Sequence, residues 1–425
     1  MTYDIVINNV DVLGLDNAQS YNIGITGNLI QYIGSDAITG TDTIDGSNHL
    51  AAPGMVNAHT HIAMTLLRNY ADDMVLMDWL QNKIWPAEAN LTPEHVYWGT
   101  MLGIAEMIKS GTTAFADMYF EMATTAEVVA ETGIRASLSR GLTGLDQAGD
   151  NRLAENIAFY KEWHNKADGR IQVRLGPHAP YTCPVDYLKK VITAAKELGC
   201  GLHMHLSETK GEVDACIKEH GMTPIALMDS LGMFELPTLA AHCVYVTDAD
   251  MDIMAAKHVA VASNPQSNLK LASGIAPLSA MLNKNITVAL GTDGASSNNN
   301  LDMLEELRLA SVLAKTVTGD PTVIPANIAV ELATSNGANA LGFDNVGELK
   351  VGQKADIVLY DMHKPYWYPR HNLTSGFVYA ANANDVDTVL VDGKILLAQG
   401  KLTTIDEEKT YAEANRLGLD LVNKA

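Results

Sequence analysis

The chain has 425 residues, 47% of them hydrophobic, enough for a large core and one further module. Its 29 basic and 50 acidic residues leave a formal net charge of -21, which argues against nucleic acid or an anionic membrane as partner, since both need basic patches. Its four cysteines form no CxxC pair, no apolar run reaches the ~18 residues of a membrane span, and the N-terminus lacks a basic, apolar leader; a cytoplasmic protein with reduced thiols is expected.

Residues 1–50 carry short alternating runs broken by turn residues. Asp4–Leu13, Asn22–Ile25 and Leu29–Gly34 read as strands, with Gly27-Asn28 as the turn between the last two. From residue 51 apolar runs of about five residues alternate with helical stretches. Candidate strands are 51–57, 113–118, 134–139, 171–177, 201–206, 237–242, 259–264 and 286–291. Between them, Pro93 opens a helix behind Thr92, Gly199 closes one that begins at Pro184, and Asp248–Lys257 and Leu301–Leu313 read as two more. Strand-then-helix units repeated eight times predict an α/β fold, a (β/α)8 TIM-like barrel over residues 51–344. Residues 345–425 return to strand texture before a terminal helix at 406–424, with a hairpin through Asp392-Gly393. Neither end has enough strands to stand alone, so 1–50 and 345–425 are expected to pair into one small discontinuous β-sandwich.

Polar groups sit at the C-terminal ends of several of these strands, where a barrel keeps its active site. His59-Thr60-His61 ends the first, and period 2 points both imidazoles to one side. His203-Met204-His205 ends the fifth, and spacing alone does not choose between its two histidines. His242 ends the sixth, and Asp293 follows the eighth. A carboxylate before Gly294 also suits a plain turn. Neutral imidazoles with one carboxylate are the donor set of zinc or ferrous iron rather than of calcium or magnesium. The fourth strand ends in Gly176-Pro177-His178-Ala179-Pro180, with no lysine or acid to bridge a second ion, so one metal per chain is expected.

Taken together, Pro53-Gly54 before HxH, Gly111-Thr112-Thr113, His203/His205 with Glu208, His242, Gly291-Thr292-Asp293 and the closing run Gly347–Val358 resemble the amidohydrolase superfamily over nearly the whole chain. More narrowly, Ile84–Glu88, Gly176–Tyr181 and Ser263–Leu271 resemble the deaminases of 5'-methylthioadenosine and S-adenosylhomocysteine. The resemblance implies one divalent ion, zinc with ferrous iron as the alternative, held by His59, His61, His205 and Asp293, with His203 supporting from behind. It implies hydrolytic deamination of an adenine nucleoside, in which Asp293 takes the water's proton, Glu208 protonates the ring nitrogen and His242 hydrogen-bonds the intermediate. Glu88, His178 and Arg140 are the expected substrate contacts, joined by Glu208 and Asp293, with Trp85 and Met64 as candidate walls for a thioalkyl group. The resemblance also implies a homo-oligomer. Where the family carries a second arginine, this chain has Asp150, with Arg152 close by. Deamination of guanine or cytosine, or s-triazine hydrolysis, is the alternative within the same chemistry.

Overall fold

The structure is a computed structural model and describes residues 2–16 and 18–424. The N-terminal part contributes β1 (Thr2–Val12), β2 (Tyr21–Thr26), β3 (Leu29–Gly34), β4 (Thr39–Asp45) and β5 (His49–Pro53). The barrel strands are β6 (Met55–Thr60), β7 (Thr112–Tyr119), β8 (Arg135–Leu142), β9 (Ile171–Pro177), β10 (Leu202–Leu206), β11 (Thr238–His242), β12 (Ala260–Ser263) and β13 (Val288–Leu290). The C-terminal part adds β14 (Ile357–Asp361), β15 (Val386–Val391), β16 (Lys394–Ala398) and β17 (Lys401–Leu402).

Both ends of the chain meet in one outer assembly, as the sequence predicts. β5 pairs antiparallel with β14, from Ile357 opposite Pro53 to Asp361 opposite His49. β1 joins the halves: Thr2 to Asn8 run parallel to β4, while Asp11 and Val12 pair with β5. Ile7, Ile23, Ile25 and Ile30 from the first part pack with Ile357, Leu359 and Leu390 from the second, all fully buried. The β15–β16 hairpin turns at Asp392-Gly393, both with positive φ (53° and 75°), the geometry of a tight hairpin turn. β4 has no counterpart in the sequence reading; it is polar and largely exposed, so apolar alternation does not reveal it.

The run read as one strand over 51–57 is two. Gly54 N donates to Asp356 O in the outer assembly (3.0 Å), and Met55 N donates to Gly111 O at the foot of the barrel (3.0 Å). The chain changes sheets between those two amides. A Cβ on Gly54 would lie 2.0 Å from Thr113 Oγ1, so only glycine lets the chain cross this close to β7.

The eight barrel strands are parallel and ordered as in the sequence, β6 to β13. Their apolar residues are buried on both faces, as helices on the outside and a filled interior require. The seam between β6 and β13 is closed by the Asn57 side chain and one backbone bond: Asn57 Nδ2 donates to Thr292 Oγ1 (2.7 Å), Thr292 N to Asn57 Oδ1 (2.9 Å) and Asp293 N to His59 O (2.9 Å). The helix expected over 301–313 is Met303–Thr318: the Asp302 carboxylate caps the amide of Leu304, and Gly319 ends it with φ 66°. Helix Glu407–Asn423 closes the chain against Pro93–Lys109, tied by Lys109 to Glu407 (2.6 Å). No described helix is long and apolar enough to cross a membrane.

Barrel and outer strands are stapled by a buried ion pair. Arg135, at the start of β8, donates from Nε and Nη2 to both Asp356 oxygens (2.9 Å each), and Asp392 N caps Asp356 Oδ1 (2.7 Å). Without Asp356 the buried Arg135 would keep only its longer contact to Asp392 Oδ1 (3.3 Å), and its charge would be left incompletely balanced in low dielectric. Asp356→Ala is therefore expected to lower stability by about 3–5 kcal/mol, read as a fall in thermal midpoint; an unshifted melt would contradict the staple.

Candidate metal centre and active site

His59, His61, His205 and Asp293 converge at the C-terminal mouth of the barrel. His59 Nε2 lies 3.5 Å and His61 Nε2 3.3 Å from Asp293 Oδ1, and His205 Nε2 lies 3.2 Å from His61 Nε2. The opposite ring nitrogens are occupied. His61 Nδ1 donates to Met118 O (2.6 Å) and His205 Nδ1 to His178 O (2.7 Å). A carbonyl only accepts, so each ring carries a proton on Nδ1 and turns its Nε2 inward. His59 Nδ1 meets His203 Nε2 (2.9 Å), and His59 Nε2 is buried with no hydrogen-bond partner. His203 thus lies behind His59 rather than in the cluster.

A buried carboxylate facing three imidazoles calls for positive charge, either a bound ion or a proton in its place. Burial opposes a proton on His61, yet the adjacent Asp293 outweighs it and pushes this pKa up to about 9, while burial drives His59 down to about 4. Burial likewise opposes the Asp293 anion, but His59 and His61 hold its pKa well below the usual carboxylate range. The donor set, three imidazoles and one carboxylate oxygen, fits a divalent ion.

Asp293 is locked in place. Ser267 Oγ (2.6 Å) and Ser297 Oγ (3.1 Å) donate to Oδ2, and Gly294 N (2.9 Å) donates to Oδ1. His242 Nδ1 donates to Asn268 Oδ1 (2.8 Å), and its Nε2 faces Glu208 Oε2 at 3.9 Å. Ser207, His242 and Asp293 all have positive φ (55°, 72° and 62°), strain concentrated at the strand ends that carry the polar groups. A Cβ on Gly291 would lie 2.7 Å from His59 N and 2.6 Å from Asn264 Oδ1, so a glycine must precede Thr292-Asp293.

The cluster opens into a cavity of about 750 Å³. Glu88, Arg140, His178, Glu208 and His242 line it, as do Trp85 and Met64. Burial pushes the Glu88 carboxyl up to about 7, against the pull of Tyr119 and His61, and drives His178 down to about 3, so that ring is neutral. Arg140 pairs with Glu155 (2.7 Å). Arg152 also lines the cavity, bound to both Asp146 oxygens (2.6 and 2.7 Å), whereas Asp150 turns to Lys190 (2.7 Å). At the position in question the cavity wall is therefore made by Arg152 and not by Asp150. Ser267, Ser297 and Asn268 have no role in the sequence reading. Ser267 and Asn268 lie inside the run Ser263–Leu271, but which of its polar residues turn inward depends on the short helix Pro265–Lys270.

An eight-stranded barrel with imidazoles and a carboxylate gathered at its C-terminal mouth defines a metal-dependent hydrolase. The chain belongs to the amidohydrolase family, whose pattern it matches over residues 50–396. It is 55% identical over 382 residues to a 5-methylthioadenosine/S-adenosylhomocysteine deaminase of Dictyoglomus thermophilum, covering 90% of both chains. It is 51% identical over 423 residues to the protein of that name in Dictyoglomus turgidum, covering 99% of both. Among solved structures it superposes on a zinc-bound adenosine deaminase of Xanthomonas campestris with a TM-score of 0.95 and 34% identity, covering 100% of this chain and 99% of that one.

The purified protein is expected to carry one divalent ion per chain, and Asp293→Ala to lose it, as measured by elemental analysis. Full metal content in Asp293→Ala would remove the carboxylate from the ligand set.

Proposed function

We propose that this chain catalyses hydrolytic deamination of an adenine nucleoside of the 5'-methylthioadenosine or S-adenosylhomocysteine type, releasing the inosine product and ammonia. The observation that carries the reading is a pair of overlapping donor groups, His59–His61–Asp293 and His59–His205–His242, which open together with Glu208 on a nucleoside-sized cavity. Relatives at 51–55% identity bear that activity in their names. We assign the metal to His59, His61, His205 and Asp293, with zinc as the ion.

A divalent ion in this cage would lower the pKa of a water toward ~7 and so supply a nucleophile at neutral pH. Asp293, anionic and fixed by two serines, accepts the proton of that water as the new C6–O bond forms. Burial raises the pKa of Glu208, reinforced by Asp293 and opposed by His242, which shifts the side chain toward the protonated form that can serve the adjacent ring nitrogen. Burial opposes a charge on His242, but Glu208 and Asp293 outweigh it and raise its pKa. With Nδ1 committed to Asn268, the Nε2–H of His242 donates to the developing oxyanion. Proton return to the amino group lets the C6–N bond break and ammonia leave. Glu88 accepts from the ribose hydroxyls, and His178, neutral and held by Thr182 (2.9 Å), faces the purine or ribose. Arg140 and Arg152 border the space open to the 5' substituent. A free base would leave Glu88 unused, which favours a nucleoside over guanine, cytosine or a triazine.

The metal-loaded protein is expected to shift the ultraviolet spectrum of 5'-methylthioadenosine, S-adenosylhomocysteine or adenosine to that of the inosine product. Turnover of none of the three would end the substrate assignment. Glu208→Gln should lower kcat by ~10²- to 10⁴-fold, the range for a lost general acid, with metal content intact. The Glu88 carboxyl, with its pKa near 7, is ionised above that pH and protonated below it. KM is therefore expected to rise as pH falls through this range, and that limb should vanish in Glu88→Gln. A KM profile identical in the two proteins would contradict the ribose contact.

A further inference from the structure

β10 ends at Leu206, and the chain turns into the cavity through Ser207, whose φ of 55° is left-handed and strained for a non-glycine residue. Four backbone polar atoms of this turn are engaged. The Leu206 and Ser207 carbonyls accept from Cys243 N (3.0 Å) and Tyr245 N (2.9 Å), at the end of the neighbouring strand. The Ser207 and Glu208 amides donate to the two oxygens of one carboxylate, Glu212 Oε1 and Oε2, at 2.8 Å each. Glu212 is the third residue of helix Lys210–His220, behind the cap Thr209, whose hydroxyl accepts from Glu212 N (3.2 Å). A glutamate at this position ordinarily reaches back to the amide of the cap itself. Here it reaches past the cap to the two residues before it, the strained Ser207 and Glu208.

We infer that Glu212 is a positioning residue: its carboxylate, clamping the Ser207 and Glu208 amides together, holds the Ser207 strain and keeps the Glu208 carboxyl in the cavity opposite His242. This rests on Glu208 being the proton donor proposed above. The clamp acts from one side of the turn and the Cys243 and Tyr245 amides from the other, so the orientation of Glu208 is coupled to the strand end that carries His242. Two buried amides left without an acceptor favour a turn in which Ser207 relaxes and Glu208 swings away from the reacting ring.

Glu212→Gln preserves shape but replaces one acceptor oxygen with an amino group that faces a backbone N–H. On the nucleoside that the native protein turns over, kcat is expected to fall by about 10²-fold, the scale of a misplaced catalytic group, with KM and metal content unchanged. In a Glu208→Gln background the same change should cost nothing more, because Glu212 acts only through Glu208. Independent, multiplicative losses in the double variant, or native kcat in Glu212→Gln, would overturn the assignment. Glu212→Asp keeps the charge but falls one methylene short; a native rate there would likewise refute the clamp. A crystal structure of Glu212→Gln reads the inference without turnover: a relaxed Ser207 and displaced Glu208 are expected, and an unmoved Glu208 overturns it. Should the native protein deaminate no nucleoside, the functional reading fails, while that structure still decides the role of Glu212.

Discussion

Everything in this protein depends on keeping three imidazoles and one carboxylate together in the barrel mouth, where an ion or a proton has to balance the buried charge. Left bare, the arrangement is costly, because a buried carboxylate without a counter-charge loses several kcal/mol of hydration. The fold maintains it by occupying the outer nitrogens first. Met118 O and His178 O take the Nδ1 protons of His61 and His205, and His203 meets that of His59, which leaves the inner nitrogens free to share an ion. Ser267 and Ser297 do the equivalent for Asp293, using one oxygen and aiming the other at the cluster.

That convergence constrains the backbone around it. His59 and His61 project inward only if β6 enters the barrel in one register, since a slip of one residue would turn both outward. The register is set where the chain leaves the outer strands: Gly54 bonds Asp356 and Met55 bonds Gly111 on the next step. At the other end, Asn57 binds Thr292 and joins the first strand to the last, so that Asp293 arrives beside His59. The outer strands therefore do more than cover the barrel. Together with the Arg135–Asp356 pair they anchor the start of the strand that carries His59 and His61.

Much of this was legible in the chain itself. The pairing of the two ends followed from the shortage of strands at each, and the β2–β3 and β15–β16 hairpins followed from Gly27-Asn28 and Asp392-Gly393, whose turn chemistry is local. The HxH spacing and the strand-end position of Asp293 carried the candidate ligands. Less was legible where local signals compete. Residues 51–57 carry no charge, so hydrophobicity alone does not separate Pro53 from Met55; the local sign of the sheet change is Pro53-Gly54, which the apolar run masks. β4 is polar and exposed, and its parallel pairing with β1 is decided by a partner far away in sequence.

The sequence by itself determined the fold class, the donor set and the ends of the strands on which the donors sit, because strand periodicity, helix caps and turn residues act over a few neighbouring positions. Only the tertiary structure decided which atom of each residue is free and which is engaged. That His203 stands behind His59, that Arg152 rather than Asp150 borders the cavity, and that Glu212 grips the turn beneath Glu208 are outcomes of contacts between segments distant along the chain or of backbone angles at a strained turn. Such contacts leave no periodic trace, since a hydrogen bond depends on where two groups meet in space and not on how far apart they are along the chain.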